Sequence, residues 1–120
     1  TAHQTTAYEQ VTGTWADGRI GTFRGIREAG GKTGFGLTVF TEKKITPTTI
    51  GSDKKALMLE IARFFKTGKS PIDPDTTLEI FAFMQAAEAS KQLGGKPIKI
   101  ADIMKSARQA ALKKIGPQVP

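Results

Sequence analysis

The chain of 120 residues contains no cysteine, so disulfide frameworks, thiolate metal sites and thiol catalysis are excluded together, and with them any inference of redox compartment. Histidine occurs once, as His3. That removes histidine-clustered metal sites and leaves a Ser-His-Asp triad dependent on a terminus expected to fray. No apolar run approaches the ~20 residues of a bilayer-spanning helix, and the first ten residues lack the basic flank and apolar stretch of a secretory signal. No membrane partner is expected, and the compartment stays open. Trp and Tyr occur once each, beside seven Phe.

What is present describes a soluble globular chain. Hydrophobic residues make up 38% and charged residues 24%, a balance that sets aside disordered tails and fibrous repeats, and the length fits one domain of ~100–150 residues. The net charge of +7 invites a nucleic-acid reading, which its distribution weakens. Residues 96–120 carry Lys96, Lys99, Lys105, Arg108, Lys113 and Lys114 against Asp102 alone. The basicity therefore belongs mostly to the tail, which has no aromatic for base stacking and no helix-turn-helix or RNA-binding sheet signature. Nucleic acid is not expected as a partner.

The N-terminal third carries strand signals. Residues 8–15 alternate Tyr8, Gln10, Thr12 and Thr14 with Glu9, Val11, Gly13 and Trp15. They run into Asp17-Gly18, a pair suited to a tight turn with φ > 0. Residues 19–27 put Ile20, Thr22, Arg24 and Ile26 on one face and Gly21, Phe23, Gly25 and Arg27 on the other, and residues 35–42 supply a third strand. The expectation is an antiparallel meander of these three, ended by a loop around Pro47.

Beyond it the period becomes helical. Ser52 is a candidate cap for a helix over 53–67, whose stripe of Leu57, Met58, Ile61, Phe64 and Phe65 is expected to cover the sheet, with Gly68 as a stop. Asp73-Pro74 opens a second helix over 74–93 that Gly94-Gly95 ends. It has a bulky face (Ile80, Phe83, Met84, Ala87) and a small one (Leu78, Ala82, Ala86, Ala89, Leu93), which predicts a position between two neighbours. A third amphipathic segment spans 101–115. The fold class expected is α+β, an antiparallel β-sheet with helices packed on one face.

Several motifs fail on inspection. Gly25 to Thr33 ends in the Gly-Lys-Thr of a phosphate-binding loop, but Gly25 and Gly31 enclose five residues instead of four, and a strand follows where a helix should receive the phosphates. Gly31-Lys32-Thr33-Gly34-Phe35-Gly36 lacks the glycine positions and βαβ setting of a dinucleotide fingerprint. Asp73, Asp75 and Glu79 read as helix-start acids before they read as acid-base catalysts. No catalytic, cofactor-binding or metal-binding residue emerges. The candidate substrate or interface residues are Tyr8, Trp15, Arg24 and Arg27, an aromatic and arginine set on a sheet that helices back on one side only.

Three blocks carry a family resemblance. Phe64-Phe65-Lys66-Thr67-Gly68-Lys69-Ser70-Pro71-Ile72, then Thr77 to Lys91 (Leu78-Glu79-Ile80-Phe81-Ala82-Phe83-Met84-Gln85-Ala86-Ala87 at its centre), then Gly94-Gly95-Lys96-Pro97-Ile98, resemble in order and spacing the C-terminal end of Gfo/Idh/MocA-type oxidoreductases. Upstream, Trp15 to Arg27 and Gly36-Leu37-Thr38-Val39-Phe40 resemble the preceding strand pair in one branch, so the likeness covers about residues 14–104. It implies the substrate-binding and oligomerisation part of an NAD(P)-dependent dehydrogenase of sugars or cyclitols, with a homo-oligomer formed through the sheet. The family's glycine-rich dinucleotide domain, its Glu-Lys-Pro lysine motif and its aspartate-histidine motif have no counterpart here. No catalytic residue is carried over, NAD or NADP is implied only for a longer protein that includes the dinucleotide-binding domain, and the chain alone is expected to be inactive. The alternative is a stand-alone binding or assembly module that shares the fold without the chemistry.

Overall fold

The computed structural model describes residues 1–27, 34, 36–49 and 54–116. It is α+β, with strands β1 (Ala2–Gln4), β2 (Tyr8–Thr14), β3 (Ile20–Ile26), β4 (Gly36–Phe40) and β5 (Ile45–Thr49), then helices α1 (Lys54–Thr67), α2 (Pro74–Gln92) and α3 (Ile100–Ile115). Two compact bodies divide the chain. One comprises Thr1–Glu28 with Asp73–Pro120, the other Ala29–Ile72.

In the first body the expected hairpin forms. β2 and β3 pair antiparallel without a break, from Tyr8 opposite Ile26 to Thr14 opposite Ile20. Gly18 takes φ +86° at the turn, a left-handed conformation that a side chain would oppose. Its N–H donates to the Trp15 carbonyl at 3.0 Å. The meander expected from the sequence is corrected at its third strand. The sheet order is β1-β2-β3, and the partner of β2 on its other side is the N-terminal segment itself, with Ala2 opposite Val11 and Gln4 opposite Glu9.

That segment is expected to fray, yet a tertiary device holds it. Ala2 is fully buried, and its N–H donates to the Ser90 hydroxyl at 2.9 Å. The same hydroxyl donates to the Lys96 carbonyl at 2.7 Å, so one buried side chain on α2 ties strand, helix and following turn together. The Thr1 ammonium donates to the Thr12 carbonyl at 2.9 Å.

Helix α2 starts as its sequence says: Asp73 caps it by accepting the Asp75 N–H at 3.2 Å, with Pro74 in the first turn. It packs against both β1 and α3. The faces are the surprise. Ala82, Ala86, Ala87 and Ser90 are buried, Phe83 packs partly buried against Ala2, Val11 and Ala87, and Leu78, Ile80, Met84 and Leu93 stay exposed. Small residues allow the helix to approach the strands closely, and that proximity excludes water where larger side chains would hold the elements apart.

In the second body β4 pairs with β5, not with the first sheet. The turn is Thr41 to Lys44, where the Thr41 hydroxyl donates to the Lys44 carbonyl at 2.9 Å and accepts the Lys44 N–H at 3.1 Å. Pro47 lies inside β5 opposite Thr38, which corrects the expected loop. The Thr41 N–H bonds the Lys44 carbonyl, so by alternation Thr46 and Thr48 aim their backbone groups at β4 while Pro47 turns its missing N–H outward, the placement an edge strand tolerates. Helix α1 ends where expected, with Gly68 at φ +68° donating to the Phe64 carbonyl at 2.8 Å. Its stripe is not a core, however: α1 has no buried residue, and Phe65 is 82% exposed. Amphipathicity records that a face is apolar and not what it meets. Ser52, Phe35 and the segment from Glu28 to Thr33 lie outside the described residues.

Candidate functional site

The β1-β2-β3 sheet has two unequal faces. Residues opposite each other in an antiparallel pair share a face, so the register groups Ala2, Gln4, Glu9, Val11, Gly13, Gly21, Phe23, Gly25 and, by continuation, Trp15 and Arg27 on one side. This is the side that α2 covers, since Val11 and Ala2 form the buried cluster with Ala87. Tyr8, Gln10, Thr12, Thr14, Ile20, Thr22, Arg24 and Ile26 form the open side. The four candidate residues consequently separate into two pairs. Tyr8 and Arg24 lie on the open side, and Trp15 and Arg27 lie on the helix side at opposite ends of the hairpin.

Each pair has its own chemistry. On the open side Tyr8 is 54% exposed and Arg24 reaches the Gln10 amide oxygen at 3.5 Å, a long contact that leaves most of the guanidinium in solvent. Ile20 and Ile26 flank them, both exposed. The result is a mixed apolar and cationic surface.

On the helix side, Arg27 belongs to an ion network. Its Nη2 donates to Glu9 Oε2 at 2.7 Å and to Gln4 Oε1 at 3.3 Å. The other Glu9 oxygen accepts from Lys91 Nζ at 2.9 Å, and Lys91 also pairs with Glu88 at 2.7 Å. The Lys91 ammonium and then the Arg27 guanidinium hold the Glu9 carboxyl below the usual glutamate range. Hydrogen bonds to Glu88 and then Glu9 raise Lys91. With its side chain 10% exposed, Lys91 pins α2 to the hairpin, so this cluster positions elements and does not present a free catalytic group. Sequence spacing gives no hint of it, because Glu9 and Lys91 are brought together only by tertiary packing.

Trp15 lies across two glycines. A side chain at Gly21 would meet its indole at 3.0 Å, and one at Gly13 would meet Phe83 at 2.9 Å and the indole at 3.5 Å. The directly opposed pair Gly13 and Gly21 thus leaves a flat floor on which the indole rests. Arg19 stacks over the indole at 5.7 Å while donating to Asp17 at 2.7 Å, and hydrogen bonds from Arg19, backbone first, depress the Asp17 carboxyl. Trp15, Phe83, Val11, Ile98 and Ile100 line a cleft of about 690 Å³, with Glu79 and Lys99 among its other lining residues. The volume suits a small molecule or an inserted side chain. The sequence pattern weighed Glu79 as a helix-start acid and did not single out Ile98 for a site, because the turn after α2 reaches β2 only in the folded chain.

Among the described residues no group of three His, Asp or Glu side chains could hold a metal ion, and no helix is long and apolar enough to cross a membrane. No family model, curated protein or solved structure matches the chain.

Proposed function

We propose that the chain is the substrate-binding and oligomerisation part of an NAD(P)-dependent sugar or cyclitol oxidoreductase of the Gfo/Idh/MocA kind, inactive without a dinucleotide-binding domain. The observation that carries this reading is the coincidence of the resembling blocks with whole elements. The Phe64–Ile72 block is the end of α1 and its stop, the Thr77–Lys91 block is the body of α2, and the Gly94–Ile98 block is the turn that Ser90 anchors and that lines the Trp15 cleft. A second observation supports membership in something larger. Val11 is the largest buried apolar side chain among the described residues, and the others are alanines. That is too little apolar burial for an ordinary self-sufficient domain, whose stability rests on several fully buried Leu, Ile or Phe side chains.

On this reading the open side, with Tyr8 and Arg24, faces a subunit, and the cleft beside Trp15 lies toward the sugar-like substrate or the domain that carries it. The test extends the open reading frame on the 5′ side of Thr1 and assays the longer protein for reduced nicotinamide with a panel of sugars and cyclitols. The expected result is an upstream Rossmann unit, turnover by the longer protein, and none by the 120-residue chain. An unrelated upstream domain, or micromolar binding of NAD or NADP by the present chain, overturns the reading, the former in favour of a stand-alone assembly module.

A further inference from the structure

Of the five aspartates in the chain only Asp17 precedes a glycine, and asparagine is absent. An Asp-Gly pair carries a chemistry of its own, because the glycine nitrogen has no neighbouring side chain to hinder its approach to the aspartate side-chain carboxyl. Attack at that carbon forms a C–N bond and breaks a C–O bond. The carboxyl OH and the nitrogen's hydrogen leave together as one water, and the product is a cyclic succinimide. Water then adds at either ring carbonyl. One opening restores aspartate, and the other gives isoaspartate, in which the main chain runs through the β-carbon and is longer by one methylene.

The folded turn withholds both reacting groups. The Gly18 N–H donates to the Trp15 carbonyl at 3.0 Å, so the nucleophile is engaged in the bond that closes the turn. Asp17 Oδ1 accepts the Arg19 N–H at 3.1 Å and Oδ2 accepts from Arg19 Nε at 2.7 Å. Both oxygens are thus committed to residue 19, and the same bonds favour the ionised carboxyl, which has no OH to lose. The Arg19 guanidinium is itself steadied over the Trp15 indole at 5.7 Å. All of these contacts lie within residues 15–19, so the lock is local to the hairpin tip.

We propose that Asp17 is a latent modification site: Arg19 and the Trp15 carbonyl hold Asp17-Gly18 unreactive while the turn is closed, and each local opening exposes the pair to conversion to isoaspartate. Loop tips are among the first parts of a fold to open. The consequence reaches the cleft, because Trp15 and Ala16 line it. A turn with an extra methylene no longer satisfies the Gly18–Trp15 bond together with the 2.9 Å bond from the Trp15 N–H to the Arg19 carbonyl, and the indole loosens from its Gly13–Gly21 floor. The inference goes beyond the oxidoreductase reading and stands without it, since it uses the turn alone.

The test incubates the 120-residue chain in warm neutral buffer, folded or in urea, and follows the tryptic peptide that carries Asp17. Isoaspartate leaves its mass unchanged and alters its chromatographic retention, and the succinimide is lighter by one water. Product should form at least about tenfold faster in urea, the factor by which two hydrogen bonds of ordinary net strength hold the turn closed. Arg19→Gln should form it about threefold faster than the parent when folded, the modest effect of an exposed ion pair, and no faster in urea. Asp17→Glu, which cannot close the same ring, should form none. The purified isoaspartyl chain should show the emission of Trp15, the only indole, moved toward that of the unfolded chain. Equal rates folded and in urea, no product in urea, an Arg19→Gln rate equal to the parent's when folded, or an isoaspartyl chain with the parent's emission would each overturn the proposal. None of these outcomes bears on whether the longer protein reduces a nicotinamide.

Discussion

Helix α1 in the second body has a well-defined apolar stripe and buries none of its residues, whereas α2 in the first body has apolar side chains distributed around it and buries four. The contrast separates two properties that are easily merged. A one-sided stripe is a local feature of the chain, but burial requires a surface that fits. In the first body Ala2, Val11 and the alanines of α2 approach closely enough to seal a seam, and the Ser90 hydroxyl and the Glu9–Lys91 pair tie its polar groups across it. In the second body β4, β5 and α1 keep Leu37, Phe40, Ile45, Phe64 and Phe65 exposed. A two-stranded ribbon alone is only marginally stable.

The sharpest way to break this comparison is to attack the seam. Ser90→Ala leaves the buried Ala2 N–H without an acceptor and the Lys96 carbonyl without a donor, and chemical denaturation should register a loss of ~2–3 kcal/mol. Phe83→Ala should cost a comparable ~2–3 kcal/mol, less than a fully buried Phe because this ring is only partly covered. Phe64→Ala in the second body should cost less, ~1–2 kcal/mol, since the residue is 40% exposed. A large loss at Phe64 with little at Ser90 would invert the assignment of the core.

A pair of adjacent glycines sharpens the same point. Gly94 and Gly95 both have positive φ, 68° and 89°, so alanine at either is strained by ~1–2 kcal/mol. Only at Gly95 would the added carbon also run into the imidazole of His3 on β1, while nothing lies near Gly94. Gly95→Ala should therefore exceed Gly94→Ala in the same denaturation experiment, and equal effects would detach the turn from the N-terminal strand.

The smaller effects are electrostatic. Glu9 is lowered by Lys91 and Arg27, so its contribution is fully present above the ordinary glutamate value and fades as pH falls through the lowered one. Thermal unfolding should find Glu9→Gln less stable than the parent at neutral pH, with the gap closing in acid. The raised Lys91 acts in the opposite sense, stabilising below the ordinary lysine value and losing that contribution as pH rises through the raised one. A gap that stays constant from acid to neutral pH would remove Glu9 from the network. Finally, hydrogen exchange should be slower in β2 and α2 than in β4 and α1.

Local chemistry was sufficient for the hairpin, the ends of α2 and the α+β class. Asp17-Gly18 supplies a turn that other residues resist, Asp73-Pro74 satisfies the first helical N–H groups, and the alternation from Arg19 to Arg27 by itself places Arg24 and Arg27 on opposite faces. These are interactions between near neighbours in the chain, and their energies are readable from a short window. The fate of the N-terminus, the separate β4–β5 ribbon and the exposure of α1 depended on which surfaces met. The Ala2–Ser90 bond and the Glu9–Lys91 pair span most of the chain, and no period or spacing encodes them. Tertiary structure alone decided that Trp15 would lie on the Gly13–Gly21 floor beside Phe83, because closing a long loop is worthwhile only when many groups dock together.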